Sequence, residues 1–163
     1  MTLNNSQFFA SIITNRRPDA AAVVRGERAE GTVSFYQTQQ GVLITAAMRG
    51  LPVTRMACAQ PIFALHIHEG RSCTGNAADR FAGAGAHYNP GGCQHPYHAG
   101  DLPPLFATRA GTTWMAVLTD RFRVRDVLGR TVILHEKLDD FTTQPSGNAN
   151  GKMACGVITP SEQ

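Results

Sequence analysis

The sequence has no run of apolar residues approaching the ~20 that a membrane-spanning helix requires. Charged residues are scarce, at 17% of 163 residues, and 15 basic against 12 acidic side chains leave a net charge of only +3. No basic run or basic face stands out, which argues against binding to nucleic acid or to an acidic membrane surface. We therefore predict that the chain works on neither nucleic acid nor membranes.

Targeting and cysteine motifs are missing too. The short apolar segment 8–14 precedes Arg16 and Arg17, whereas a signal peptide has its basic residues first. The sequence thus predicts a cytoplasmic protein, with the periplasm or the extracellular space as the alternative if a leader has been removed. None of the four cysteines forms a CxxC motif, which argues against a thiolate zinc ribbon or a thioredoxin-like site, while three disulfide pairings stay open.

Alternating apolar residues, typical of half-buried strands, begin at residue 20 and recur to the end of the chain. We predict an N-terminal extension over 1–19, as an arm or short helix, and one domain over 20–163. Eight short strands with two long loops indicate an all-β antiparallel sandwich or barrel. Trp114 and the phenylalanines are interpreted as core residues. The arginines of the segment 121–130 are interpreted as a solvated face.

The six histidines carry the chemical signal. His66 and His68 are two positions apart on a predicted strand, so their side chains share one face. Together with His135 on another strand they suit copper, which binds imidazole strongly. The glycine- and proline-rich segment 70–104 adds a second set, three imidazoles and one carboxylate within fifteen residues, which suits tetrahedral zinc: His87, His95, His98 and Asp101. If His87 serves both sites, every histidine is used; the alternative is one zinc site with incidental histidines.

Five segments, in this order, resemble the copper/zinc superoxide dismutase family, and its bacterial members in particular. They are FALHIHEG (63–70), GAHYNP (85–90), HAGDLP (98–103), GRTVILHEKLDD (129–140) and MACGVI (153–158). The resemblance implies an eight-stranded antiparallel Greek-key barrel, an immunoglobulin-like sandwich with long metal-binding and electrostatic loops. It also implies disproportionation of superoxide to dioxygen and hydrogen peroxide by copper that cycles between Cu(II) and Cu(I). Dimers are common in this family, so a homodimer stays open.

Residue by residue, the resemblance implies a copper site, a zinc site and a bridge between them. His87 would be the catalytic residue shared by both metals, and Asp139 would link one ligand of each. Cys73 and Cys155 match the family's disulfide. Copper would be bound by His66, His68, His87 and His135, and zinc by His87, His95, His98 and Asp101.

The chain departs from the family pattern in three places, one of which is that its N-terminal twenty residues are extra. Lys152 stands where relatives usually carry an arginine, and we predict that it is a second catalytic residue, guiding superoxide to copper. Cys58 and Cys93 have no counterpart; they form either a second disulfide or two unrelated thiols.

Two other functions are weighed against the dismutase: a non-catalytic metal-binding module and a zinc-only hydrolase. The module would be favoured by loss of a copper-binding histidine, and the hydrolase by a free general base.

Overall fold

The computed structural model describes residues 4–54 and 61–162. Cys58 lies outside the described residues, as do the ends of the chain. Within these residues the strands span two to nine residues, and the two longest connections are 69–104 and 136–151. The helices are α1 (Asn5–Asn15) and α2 (Val124–Val127), with one 3₁₀ turn at Ala82–Ala84. The strands are β1 (Ala20–Gly26), β2 (Glu30–Thr38), β3 (Gly41–Arg49), β4 (Ile62–Phe63), β5 (Leu65–His68), β6 (Leu105–Phe106), β7 (Thr113–Thr119), β8 (Thr131–His135) and β9 (Lys152–Pro160).

Seven strands form one antiparallel sheet in the order β5-β8-β9-β1-β2-β3-β7, and β4 pairs with β6 in a small second sheet. β4 leads directly into β5 at one edge of the large sheet, and β6 contacts β7 at the other. The β4–β6 pair therefore brings the two edges towards each other, as in a barrel. The β3–β7 pairing skips three strands, a crossover typical of Greek-key topology.

The core lies between the inner faces of these strands. Val33 and Phe35 on β2, and Val42 and Ile44 on β3, are fully buried, as the alternation predicts. β8 is buried at every position, because its outer face is covered by the loops that hold the histidines. The large sheet thus separates an apolar interior from a polar site on its outside.

Helix α1 begins at a capping box in which Asn4 and Gln7 exchange side-chain and backbone hydrogen bonds. The helix buries Ile12 against Tyr36 and Leu43, which point away from the main core. The predicted extension is thus helical here, and it covers apolar side chains on the outside of the sheet. That 1–19 is an appendage and 20–163 the whole domain stays a prediction.

The structure corrects three details of the sequence interpretation. The predicted strand 62–69 is divided at Ala64, because the Ala64 amide turns to the Lys137 carbonyl at 2.8 Å. The strand expected over 105–108 is only Leu105–Phe106. The core interpretation is wrong for Trp114, which is 62% exposed because the Trp114 face of β7 points to solvent, and it is wrong for Phe8, Phe106 and Phe141, which are exposed too.

Candidate metal centre

Strand β5 places two histidines side by side on the outer face of the sheet. His66 and His68 point outwards, while Ile67 between them is in the core. The backbone of Ile67 also binds the long loop: its amide donates to the Gly100 carbonyl at 2.9 Å, and its carbonyl accepts from the Tyr88 amide at 2.8 Å. These bonds fix the loop across the two histidines.

The loop consequently brings its own side chains to the strand. His87 forms a β-bridge with His68, and Asp101 forms one with His66. His135, at the end of β8, is held by its amide, which donates to the Ala64 carbonyl at 2.9 Å. The register of β8 against β9 shifts between residues 134 and 135, at the end of β8.

Two groups of ligand-type side chains result, each with its candidate ligand atoms within 4.8 Å of one another. The histidines are all buried, and Asp101 is half-buried. The structure therefore brings together every histidine of the chain, with His87 in both groups. We call them the four-histidine group (His66, His68, His87, His135) and the mixed group (His87, His95, His98, Asp101).

The four-histidine group is arranged to receive a cation. His68 Nδ1 lies 2.8 Å from the Gly85 carbonyl, and His135 Nδ1 lies 3.3 Å from the Asn150 carbonyl. Because a carbonyl only accepts, both Nδ1 atoms carry hydrogen, and the Nε2 atom of each neutral ring carries a lone pair. The two Nε2 atoms lie 3.2 Å apart, a contact that repels unless a proton or a cation lies between them.

Asp139 connects the two groups. Its Oδ2 accepts from His66 Nε2 and its Oδ1 from His95 Nε2, both at 2.8 Å. The opposite nitrogen of each imidazole is therefore a lone pair, and both Nδ1 atoms are buried without a hydrogen-bond partner among the described residues. Orphaned nitrogens aimed into two adjacent groups fit two metal ions.

His87 lies between the groups. Its Nδ1 is 2.7 Å from Asp101 Oδ1 and 3.4 Å from His98 Nδ1, on the mixed side. Its Nε2 is buried without a hydrogen-bond partner among the described residues, and its ring packs on His66 with centroids 4.0 Å apart. One imidazole can thus present a nitrogen to each group.

The mixed group has the donor set of a closed tetrahedral zinc site, three imidazoles and one carboxylate. His95 Nδ1 is 3.0 Å from Asp101 Oδ2, close enough for a hydrogen bond but not aligned for one. His98 Nδ1 lies 3.3 Å from the same oxygen. Atoms that converge without hydrogen-bond geometry are those expected around a shared cation.

Burial controls the protonation of the site. It lowers the pKa of His135 to about 3, and it lowers the pKa of His66 and, more strongly, of His68. Burial alone would raise the pKa of Asp139, but hydrogen bonds from His66, the Phe141 amide and His95 lower it to about 2. At neutral pH these imidazoles are neutral and the carboxylate is ionised, the forms that metal binding requires.

A pocket of about 900 Å³ opens onto the four-histidine group, and His68, His87 and His135 contribute to its wall. Lys152, at the start of β9, also lines it. Lys152, the residue predicted to guide superoxide, therefore lies in the pocket that opens onto the four-histidine group. Its ammonium is not free, because Asp79 Oδ2 accepts a hydrogen bond from it at 2.6 Å.

Cys73 and Cys155 form a disulfide that ties the long loop to β9. Cys93 is exposed, and Cys58 is outside the described residues. The second disulfide therefore stays a prediction.

Sequence reasoning missed two contacts at the site. Arg121, interpreted as part of a solvated face, donates to the carbonyls of His98 at 3.1 Å and Asp101 at 3.4 Å. Asp79, the partner of Lys152, lies in an aperiodic segment and carried no signal. The spacing of Asp79 and Phe81, two positions apart, indicates at most a turn.

Fold and site together define a class: a β-barrel protein with a dinuclear histidine centre on its outer wall. The family model of copper/zinc superoxide dismutase (SODC) matches residues 29–158. The chain belongs to this copper/zinc superoxide dismutase family. It is accordingly an oxidoreductase that converts superoxide to dioxygen and hydrogen peroxide, and its cofactors are copper and zinc.

Relatives of similar sequence carry the family's name, and a solved structure shares the fold. The chain is 34% identical to a Cu-Zn superoxide dismutase of Actinobacillus pleuropneumoniae, over 83% of this chain and 75% of that protein. It is 32% identical to one of Neisseria meningitidis, over 83% and 76%. The crystal structure of the clock protein EA4 superposes with a TM-score of 0.74 at 30% identity, covering 88% of this chain and 96% of that one.

Proposed function

We propose that the four-histidine group binds copper and the mixed group binds zinc, with His87 as the ligand that they share. The observation that supports this most is the position of His87, whose Nδ1 faces Asp101 while its Nε2 is orphaned beside His66. An all-imidazole set suits copper, and a set that includes a carboxylate suits zinc.

When bound, copper supplies the one-electron redox chemistry by cycling between Cu(II) and Cu(I). The protein supplies a proton. We assign this role to His87 Nε2, which would take up one proton in one half of the cycle and give it to the reduced oxygen species in the other, while solvent supplies the second proton of hydrogen peroxide. Because His87 lines the pocket, that proton can be replaced from solvent.

Asp139 fixes the positions of the two groups relative to each other. By accepting from both His66 and His95 it fixes which nitrogen of each ring is bare and how each ring is turned. We assign it a positioning role, since it reaches the site only through these two imidazoles.

Lys152 is the residue that we assign to anion guidance. Its side chain is only 15% exposed, and it lies in the same pocket as three of the four copper-binding histidines. A positive group in the wall of a cleft concentrates field lines and raises the encounter rate of a small anion.

Metal analysis of two variants tests the assignment. His87→Ala removes a ligand from both groups, so it should lose copper and zinc. His98→Ala should lose mainly zinc and keep copper. Unchanged copper and zinc contents in His87→Ala would contradict the shared ligand, and a superoxide-decay assay on the same samples relates metal content to turnover.

Superoxide is the substrate of the family, and both ligand groups are complete within one chain. A homodimer, if it forms, therefore adds no ligand, and light scattering would measure its mass directly. None of the helices in the described part of the chain has the length and apolar character that a membrane span requires.

The disulfide bears on the compartment. Cytosolic thiols are kept reduced, whereas the periplasm and the extracellular space are oxidising. The Cys73–Cys155 bond therefore favours one of these oxidising compartments over the cytoplasm. Cell fractionation with an antibody to the chain would test this.

A further inference from the structure

The ammonium of Lys152 is held from two directions. It donates to Asp79 Oδ2 at 2.6 Å and to the Phe81 carbonyl at 3.2 Å. An ammonium has three N–H donors, so one stays available for an anion in the pocket. Lys152 is therefore a tethered charge, not a mobile one.

Asp79 is itself fixed. Its Oδ1 accepts the Phe81 amide at 2.9 Å, and its own amide donates to Asn76 Oδ1 at 3.0 Å. Both carboxylate oxygens are thus used, one for the local turn and one for Lys152. Only a carboxylate can do this, because an amide side chain accepts at one atom and donates at the other.

We propose that Asp79 is a positioning residue that holds the Lys152 ammonium against the pocket wall and offsets part of its charge. The pocket therefore attracts small anions less strongly than it would if Lys152 had no carboxylate partner. The inference rests on the guiding role assigned above to Lys152. The contact also holds the pKa of Asp79 below its usual range, which keeps the carboxylate charged at neutral pH.

The physical reason lies in how fields decay. A single positive charge attracts an anion over a distance limited mainly by salt screening. A positive and a negative charge in contact act as a dipole, whose field falls off faster. Asp79 therefore weakens the long-range attraction of Lys152 more than its contact with an anion already in the pocket.

Azide titration of the copper-loaded protein, followed by visible absorption at several ionic strengths, tests this without measuring turnover. Asp79→Asn keeps an acceptor for the Phe81 amide but cannot also hold the ammonium. Azide should bind about two- to five-fold more tightly to this variant, in line with the strength of a partly exposed ion pair. The gain should be larger at low salt.

Glu30→Gln is the matched control. Glu30 pairs with Arg49, its side chain is 45% exposed against 39% for Asp79, and neither Glu30 nor Arg49 lines the pocket. Its replacement removes the same charge without releasing Lys152, so azide affinity should stay that of the parent. A gain equal to that of Asp79→Asn would overturn the proposal in favour of net charge alone.

A Lys152→Gln background separates positioning from simple repulsion. If Asp79 acts by holding the ammonium, Asp79→Asn should gain less in this background, where there is no ammonium to release. Equal gains in both backgrounds would overturn the positioning role. So would Asp79→Asn with azide affinity equal to or weaker than that of the parent.

The same titrations distinguish failure of the inference about Asp79 from failure of the guiding role proposed for Lys152. If Lys152→Gln binds azide as tightly as the parent, the guiding role of Lys152 is wrong, and the role of Asp79 falls with it. If Lys152→Gln weakens azide binding while Asp79→Asn matches the parent, only the inference about Asp79 is wrong.

Discussion

The Nε2 atoms of His68 and His135 lie 3.2 Å apart, although each ring already donates its Nδ1 hydrogen to a backbone carbonyl. Two lone pairs thus face each other in a buried site. The contact is unfavourable in the metal-free protein and becomes favourable when a cation lies between the two atoms. Part of the metal-binding free energy is therefore repulsion that folding has already imposed on the site.

The first prediction concerns the metal-free protein and pH. The pKa of His135 is about 3 in the folded chain, against about 6.5 when unfolded, because burial disfavours its charged form. Between these values the unfolded chain binds more protons, so stability must fall as pH falls. The slope is at most about 1.4 kcal/mol per pH unit for each such histidine.

Thermal unfolding of the metal-free protein at a series of pH values from 7 to 4 measures this. We expect Tm to fall steadily on acidification, and to fall less in His135→Asn, which has no imidazole to protonate. A Tm that rises or stays constant over this range would contradict the prediction.

The second prediction concerns Gly147, whose φ of +68° suits glycine. A Cβ here would overlap Asp139 Oδ1, the oxygen that accepts from His95. Gly147→Ala should therefore displace Asp139 and weaken metal binding about 10- to 100-fold, as expected for a group that orients ligands. Competition with a chelator measures this, and Gly92→Ala is the control, since its φ is +63° but a Cβ there meets nothing within 4 Å.

The third prediction is that Lys152 guides superoxide by charge. Lys152→Ala should slow the reaction at low salt and flatten its dependence on ionic strength, because salt screens the charge that has been removed. Lys152→Arg keeps the charge and adds a planar donor, so its rate should match or exceed that of the parent. An alanine variant with full copper content and an unchanged rate at low salt would disprove the role.

Alternation along the strands was enough to predict the histidine pair of β5, since side chains two apart share a face whatever the fold. It could not predict which face of an edge strand meets the core. Trp114 shows the limit: it does share a face with Ala116 and Leu118, but that face is exposed, because the opposite face of β7 packs inwards.

Contacts made by the aperiodic loops could not be predicted from the sequence. Asp79 and Lys152 are 73 positions apart, and their pairing depends on how the loop folds over β9. Arg121 reaches the His98 carbonyl from a neighbouring segment, which no periodic pattern encodes. Strand periodicity and donor type pointed to the ligands, and the resemblance implied the same set, because these motifs are local, whereas the pairings of Asp79 and Arg121 are not.

The fourth prediction concerns helix α1. Ile12 is 5% exposed and packs against Tyr36 and Leu43 on the outside of the sheet. Ile12→Ala should cost about 2 kcal/mol of unfolding free energy, at the low end for a buried isoleucine because the cluster is small. Metal content should not change. Denaturant unfolding measures the loss, and Ser6→Ala, exposed on the same helix, should leave stability unaltered.

The last prediction assigns Arg121 to the mixed group. Its Nη1 donates to the carbonyls of His98 and Asp101, which closes the turn that carries two of the four ligands. Arg121→Gln loses these bonds and lets the turn move, at a cost of about 1 kcal/mol, or about five-fold in zinc affinity. Copper affinity should change less, because only His87 belongs to both groups. Zinc transfer to a chelator measures the effect, and Arg125→Gln, whose side chain is 74% exposed and lies elsewhere, is the control. If Arg121→Gln holds zinc as tightly as the parent and the control do, Arg121 does not hold this turn.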